Sequence, residues 1–422
     1  TPLILGGPIV LCHDVIPGVS FTCGEIAAIS LQEILGGRPE PDKGSDRWAQ
    51  EIARFAILGA ELTQYHPSFP YVVCELETFR GCPRRENCAF CSEGRKKIRY
   101  QRSVTDVVRE VEALASYGNR YYRLGCQSDL FLYGASLRDG QLYPEPAVIR
   151  DLYQGIRQVA PDLEVLHMDN ANPASIMRDP KAAEAIIETI CQYNTPGDVA
   201  AFGLESADPV VLAANRVETS PEETLAAIRL MNRIGGRRHQ GIPQLLPGLN
   251  FLHGLIGERP ETMELNFRYL QRLLDEELLV RRINIRQVLT LGGYKPTRIS
   301  THRFQAYKDK VNEEINKPML RRVFPTGTVL TGVHVEEIKG QISFGRQLGS
   351  YPILVGIPGE EPLGRILNVR VIDHGYRSIT ALPTPFYVNQ ASVAQLAALP
   401  GMGRKRATKL FLAQPIRDAY HM

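Results

Sequence analysis

The stretch YVVCELETFRGCPRRENCAFCSEGR, Tyr71 to Arg95, joins a short apolar run to three cysteines, Cys82, Cys88 and Cys91, held within ten residues among glycines and arginines. The run reads as a strand, and the cysteines then sit on the loop at its C-terminal end. Eight cysteines in 422 residues do not suggest a disulfide scaffold; clustered thiols in a reducing compartment point to metal. Four thiolates would close a tetrahedral zinc site or saturate an iron–sulfur cluster. Three on a cubane leave one iron with an open coordination position, which suits catalysis. The competing reading is structural zinc, completed by His66, Cys74 or Cys126. Cys74 lies within the strand and Cys126 ends the next one, so each also fits a small buried hydrophobe.

Outward from this loop, short apolar runs alternate with helical patterns between about 70 and 290. YVVCELE, RYYRLGC, LEVLHMD, VAAFGLES, PQLLPGLNFLHG and LVRRINIRQVL read as six strands. SVTDVVREVEALASYG, AVIRDLYQGIRQVA, PKAAEAIIETICQY, SPEETLAAIRLMNRIGG and RPETMELNFRYLQRLLDEE read as the five helices between them. Such a βα repeat implies a parallel sheet with right-handed crossovers, as an open doubly wound sheet or a partial barrel, with the reaction face at the strands' C-terminal ends. A helix around RFQAYKDKVNEEINKPMLRRVF closes the unit. From about 326 to 383 the helical period disappears, and five short runs broken by glycine and proline predict a small β-barrel or sandwich. The tail NQASVAQLAALPGMGRKRATKLFLAQPI is helical again, with a glycine break. The expected domains are 1–66, 67–323, 324–384 and 385–422. Before them, SDRWAQEIARFAILGAEL reads as a helix capped by Ser45 or Asp46. LILGGP reads as a buried strand with no strand before it to pair with, so the sequence is expected to start partway through an N-terminal α/β domain.

With 44% hydrophobic and 23% charged residues, the composition argues against disordered and fibrous classes. A net charge of +3 is too small to argue nucleic-acid binding for the whole chain, so any basic partner site must be local. No apolar run approaches a membrane span and no basic flank precedes TPLILGGPIVLC, so the expectation is a cytoplasmic protein with no membrane partner.

A cysteine triplet after the first strand, with Phe90 just before the last thiol, resembles the radical S-adenosylmethionine (SAM) superfamily. The spacing here is five residues and then two, where the family's usual loop has three and two. The strand ends carry the resemblance further. GCQSD places Gln127, Ser128 and Asp129 near the methionyl amino group, and HMDNANP carries His167, Asp169, Asn170 and Asn172 to the same face. FGLESAD supplies Glu205 and Ser206. Arg216 resembles the arginine that relatives use on the SAM carboxylate. NFLHGLIGERPET, with Gly254 and Ile256, resembles the glycine motif whose backbone holds adenine, and NIRQV offers Arg286 and Gln287. Taken singly, His167 and His253 read more readily as structural histidines than as catalytic ones. The resemblance implies an α/β fold, a partial (β/α)6 TIM-type radical SAM barrel followed by a small C-terminal β-barrel and a helical hairpin. It also implies a [4Fe–4S] cluster on Cys82, Cys88 and Cys91 whose open iron chelates SAM. One electron then cleaves SAM, and the 5′-deoxyadenosyl radical abstracts hydrogen from a substrate. A partial barrel open at its lower side would admit a bulky substrate.

The segment 326–383 resembles a TRAM domain, the RNA-binding barrel of tRNA-modifying radical enzymes; a core-packing barrel without ligand is the alternative. The tail resembles a helix-hairpin-helix motif. Leu396, Leu399, Ala407 and Leu410 form its seam, and Gly401 and Gly403 offer backbone N–H groups to a phosphate. Arg404, Lys405, Arg406 and Lys409 line the second helix. A protein-packing hairpin with a solvated basic face is the bland counterpart. The N-terminal segment resembles the end of the Rossmann-like domain that precedes many such barrels, so Cys12 and Cys23 leave a second iron–sulfur cluster open, and cobalamin stays open beside it. Together these likenesses imply a tRNA-modifying enzyme related to methylthiotransferases, with methylthiolation as the candidate transfer and ferredoxin or flavodoxin as electron donor. A nucleic-acid-binding or repair protein with a structural cluster, and a radical enzyme acting on a protein or small molecule, are the two alternatives.

Overall fold

The computed structural model describes residues 4–5, 21–22, 36, 47–96, 99–290 and 293–416. Cys12, Cys23, the proposed caps Ser45 and Asp46, and most of the N-terminal segment lie outside the described residues. Helix α1, Arg47–Gly59, buries Trp48 against Tyr100.

Six parallel strands follow in chain order: β1 (Val73–Glu77), β2 (Tyr121–Gly125), β3 (Val165–Met168, continued by Asn170–Ala171), β4 (Asp198–Glu205), β5 (Leu245–His253) and β6 (Arg282–Gln287). Each neighbours its successor, and the ladder is interrupted at Asp169 between the two pieces of the third strand. Among the described residues no pairing joins β6 back to β1, so the barrel is partial. The crossover helices are α2 (Val104–Ser116), α3 (Pro146–Val159), α4 (Pro180–Tyr193), α5 (Pro221–Gly235) and α6 (Thr262–Asp275). Their starts are written locally. Ser103 accepts from Asp106 N, Asp179 accepts from Ala182 N, and Ser220 and Glu223 form a capping box. Proline sits in the first turn of α3, α4 and α5, where the missing N–H costs nothing. The helices bury stripes such as Val107, Val111 and Leu114 against the outward faces of the strands, where Tyr122 and Leu124 are fully covered. Helix α7 (Thr301–Val311) runs through a π-helical turn into α8 (Lys317–Val323), which ends the unit.

The next segment is a closed five-stranded barrel of β7 (Val329–Lys339), β8 (Ile342–Gln347), β9 (Leu354–Pro358), β10 (Ile366–His374) and β11 (Ser378–Pro383), in the order β7-β8-β9-β11-β10. Strand β10 alternates buried and exposed along Leu367, Val369 and Val371, and these meet Leu330, Val333, Val355 and Ile379 in the interior. Helices α9 (Val393–Ala397) and α10 (Gly403–Leu412) finish the described chain. They pack through Leu396 and Ala407, with Leu399 and Leu410 alongside, the seam expected from sequence.

The loop between β8 and β9 enters the lower side of the six-stranded barrel. Ser350 N donates to His167 Nδ1 at 2.9 Å, Ser350 Oγ donates to the Met168 carbonyl at 3.0 Å, and the Tyr351 hydroxyl bonds Asp169. A Cβ on Gly349 would lie 2.7 Å from His167 Cε1, so only glycine fits. The lower side expected to be open to a bulky substrate is thus occupied in part by a segment of the second barrel, and a cleft remains beside that segment.

Candidate active site

At the C-terminal ends of the strands lies a cavity of about 190 Å³, lined in part by Cys88, Cys91 and Phe90. The cysteine loop leaves β1 and pairs back on itself, Phe79–Arg80 with Tyr100–Gln101, which presents the thiols toward the barrel mouth. Cys82 and Cys88 are buried and Cys91 is partly buried. Burial pushes the Cys88 thiol up to about 11 and raises Cys91 as well, so metal loading must displace protons held in a dry pocket. Arg84 lies between the first two cysteines. Its Nη2 is 3.4 Å from Cys88 Sγ, and Nη1 is 3.8 Å from Glu218. Burial works against the Arg84 charge, yet Cys88 and Cys82 raise it overall. A guanidinium held against the thiols offsets the charge that three thiolates and a cubane bring. Among the described residues no three His, Cys, Asp or Glu side chains gather tightly enough for a single metal ion. Cys88 and Cys91 line the cavity, and Cys82 is buried beside them within reach of Arg84, so three thiols and one cation meet at the barrel mouth.

Of the residues expected near SAM, Phe90, Ser128, Asp129, Asn170 and Glu205 share this cavity with Cys88 and Cys91. Asp129 is anchored from behind by Ser175 Oγ at 2.6 Å and by the backbone N–H groups of Phe131 and Asn172; burial raises it to about 6. Glu205 sits at a β-bulge with φ of +66°, and burial pushes it to about 8 against the opposing pull of Arg84. Its carboxyl group therefore holds a proton near neutral pH. Phe90 packs edge-on to Tyr294, with ring centroids 6.3 Å apart, beside Leu255. Tyr294 in turn accepts from Ile256 N at 2.9 Å, so the loop after β5 leans on the aromatic wall.

The remaining expected residues fall elsewhere. Gln127 lies behind the cavity, its carbonyl accepting from Asn170 Nδ2 at 2.9 Å. Ser206 is fully buried and turned to Asn266 and Asp208 N. Arg216 is exposed, and its Nε donates to the Asn87 carbonyl at 3.1 Å, bracing the cysteine loop from outside. Gly254 and Ile256 in the loop after β5, and Arg286 and Gln287 at the end of β6, lie outside the lining, and Arg286 and Gln287 are exposed. His253 is buried and its Nδ1 is hydrogen-bonded to Glu258 at 2.7 Å, away from the cavity. Cys74 donates to Asn119 at 3.3 Å, and Cys126 is exposed at the end of β2. Sequence reasoning missed Arg84, Asn250, Thr219 and Glu93, which also line the cavity. The one available signal was that the widened five-residue loop carries two arginines. A larger cleft of about 490 Å³ lies between the two barrels at the strands' N-terminal ends, with no cysteine in its lining.

Residues 76–270 match the family model described as the Radical SAM superfamily. An uncharacterized protein from Archaeoglobus fulgidus is 42% identical over 370 residues, covering 86% of this chain and 69% of that one. A second, from Methanocaldococcus jannaschii, is 41% identical over 374 residues, covering 85% and 68%. Coproporphyrinogen III oxidase (HemN) from Escherichia coli, a radical SAM enzyme, superposes with a TM-score of 0.40 at 13% identity over 73% of this chain and 71% of that one.

Proposed function

The chain belongs to the radical SAM superfamily, which uses a [4Fe–4S] cluster and SAM, and from that premise we propose that it modifies a nucleic acid, a tRNA base, with methylthiolation the transfer to look for first. Cys82, Cys88 and Cys91 are the residues to hold the cluster, and when bound it supplies the electron that opens the sulfonium–carbon bond of SAM. Asp129, Ser128 and Asn170 offer anionic and polar groups for the methionyl end, while Phe90 walls the other side. Arg84 balances charge beside the thiols, and Glu205 keeps a proton in the same dry space. Burial of these groups excludes the water that would quench a radical. A low-potential protein such as ferredoxin or flavodoxin is the proposed electron donor.

The observation that carries the nucleic-acid part is the basic turn at α10. Gly401 and Gly403 have φ of +76° and +65°, and no atom lies within 4 Å of a Cβ at either, so the backbone there is open to approach. Arg404, Lys405, Arg406 and Lys409 are exposed on the helix that follows. Exposed N–H groups at a helix start, flanked by cations, suit a phosphodiester. Reconstituted protein under dithionite should release 5′-deoxyadenosine from SAM. RNA binding should weaken with salt and fall further in the Arg404→Gln/Arg406→Gln double variant. Mass spectrometry of tRNA nucleosides from cells lacking the gene should show one modified nucleoside missing. Unaltered tRNA together with no RNA binding would move the substrate to the protein or small-molecule class.

A further inference from the structure

Where β6 begins, the two barrels and α8 enclose a pocket of about 220 Å³, separate from the cysteine cavity. Three arginines line it: Arg281 and Arg282 at the start of β6, and Arg377 in the turn between β10 and β11. Two are held by their flat faces. The Arg281 guanidinium carbon lies 4.8 Å from the Phe324 ring centroid and that of Arg282 lies 4.2 Å from the Tyr351 centroid. Stacking occupies the face of a guanidinium and leaves its in-plane N–H groups for an oxyanion. One of them, Arg281 Nη2, donates to the Tyr351 carbonyl at 3.3 Å.

Among the described residues, none of these three arginines has a carboxylate partner. No acid among the described residues lines the pocket; Asp169 is engaged with Arg123 and the Tyr351 hydroxyl, and Glu313 with Tyr376 and, at 3.9 Å, Lys317. The cations therefore face one another. Burial, with Arg282 adding to it, holds Arg281 down to about 10; burial lowers Arg282 too, with Arg286 and Arg377 contributing. Half-buried positive charges without counter-charge cost stability, and an anion with several oxygens removes that cost.

We propose that Arg281, Arg282 and Arg377 form a phosphate-binding site at the junction of the two barrels, taking a phosphate ester or diester that belongs to the substrate. The site is distinct from the basic turn at α10 and does not depend on it. Tyr351 connects it to the chemistry: its ring stacks on Arg282, and its hydroxyl bonds Asp169, the neighbour of Asn170 in the cavity wall. A phosphate held there is one phenol away from the floor of the reaction chamber.

The test uses the full, cluster-reconstituted chain, titrated calorimetrically with inorganic phosphate, a nucleoside 5′-monophosphate and a short oligoribonucleotide. Arg377 is exposed on a turn, so Arg377→Gln leaves the fold intact; Arg282→Gln is the second variant. Both should weaken at least one probe tenfold or more, while Arg404→Gln leaves monophosphate binding unchanged. Loss confined to phosphate and monophosphate assigns the site to a free phosphate ester, and loss that includes the oligoribonucleotide assigns it to a polynucleotide backbone. Either result supports the site. Absence of saturable binding by all three probes, or equal affinities in both variants and the wild type, overturns it. RNA binding that falls with Arg404→Gln, with none of the three probes weakened by Arg377→Gln or Arg282→Gln, removes this site and leaves the nucleic-acid reading standing. Monophosphate binding lost in Arg377→Gln, with no RNA bound by the wild type, does the reverse.

Discussion

The six-stranded barrel turns Arg123, Asp169 and Arg282 toward its interior, with Asn250 and Asn284 hydrogen-bonded at 3.2 Å higher up; the five-stranded barrel fills its interior with Leu330, Val333, Val355, Ile357, Val369 and Ile379. The first has helices to cover its outer face, so its apolar burial lies between strands and helices, and its interior is free for polar groups. The second has no helical layer and must bury its apolar side chains within itself, which leaves its outer surface and loops for contacts. The six-stranded barrel is thus polar and charged inside, and the five-stranded barrel is filled with apolar side chains. Their meeting point is the loop from Gly349 to Tyr351, through which the five-stranded barrel hydrogen-bonds to the six-stranded one.

Substitutions can break or sharpen that contrast. The largest effect belongs to the mouth of the six-stranded barrel. Cys82→Ser, Cys88→Ser or Cys91→Ser should each abolish 5′-deoxyadenosine formation and cut bound iron, read by iron analysis and visible absorbance, while Cys74→Ser and Cys126→Ser keep the cluster. A cluster lost in Cys126→Ser would reveal a fourth ligand and undo the open-corner reading. In the five-stranded barrel, Leu330→Ala leaves a cavity and should cost about 2–5 kcal/mol in urea unfolding. Glu75→Gln, at an exposed position of β1 near Arg123, should cost under about 1 kcal/mol; equal costs would erase the distinction. At the junction, Gly349→Ala pushes a methyl into His167 and should cost about 1–3 kcal/mol, with loosening of the β8–β9 loop seen by hydrogen exchange. Arg84→Gln should weaken SAM binding about tenfold, roughly 1.4 kcal/mol, with the cluster retained, and Arg84→Lys should recover part of it. The smallest effect is on the outer helical layer. Arg268→Ala removes an exposed pair with Glu264 on α6 and should change stability by less than about 0.5 kcal/mol.

Much of the architecture was legible before any coordinates. The six strands, five crossover helices and five short strands were readable because hydrophobic periodicity and proline or serine caps are local signals. So was the three-thiol loop, since its cysteines are neighbours in the chain. The walls of the mouth cavity were legible only in part. Ser128, Asp129, Asn170 and Glu205, from the strand ends, line it, but Ser206 and Arg216 turn away, one into packing with Asn266 and the other onto the Asn87 carbonyl. Rotamer and neighbour decide that, and a one-residue change of direction is invisible in a linear pattern. Arg84 and Arg85 are indistinguishable as letters, yet one is drawn in beside the thiols while the other is exposed.

By itself, then, the sequence determined the order of the elements, the two kinds of barrel and the clustering of three cysteines on the loop after the first strand, because each is encoded within a few turns or strands of chain. Only the tertiary structure decided which charges meet. Arg123 and Tyr351 are 228 residues apart, and Arg281, Arg282 and Arg377 come from two different barrels. Electrostatic fields depend on distance through space and on the water that packing removes, and neither quantity is written in the spacing of residues along a chain.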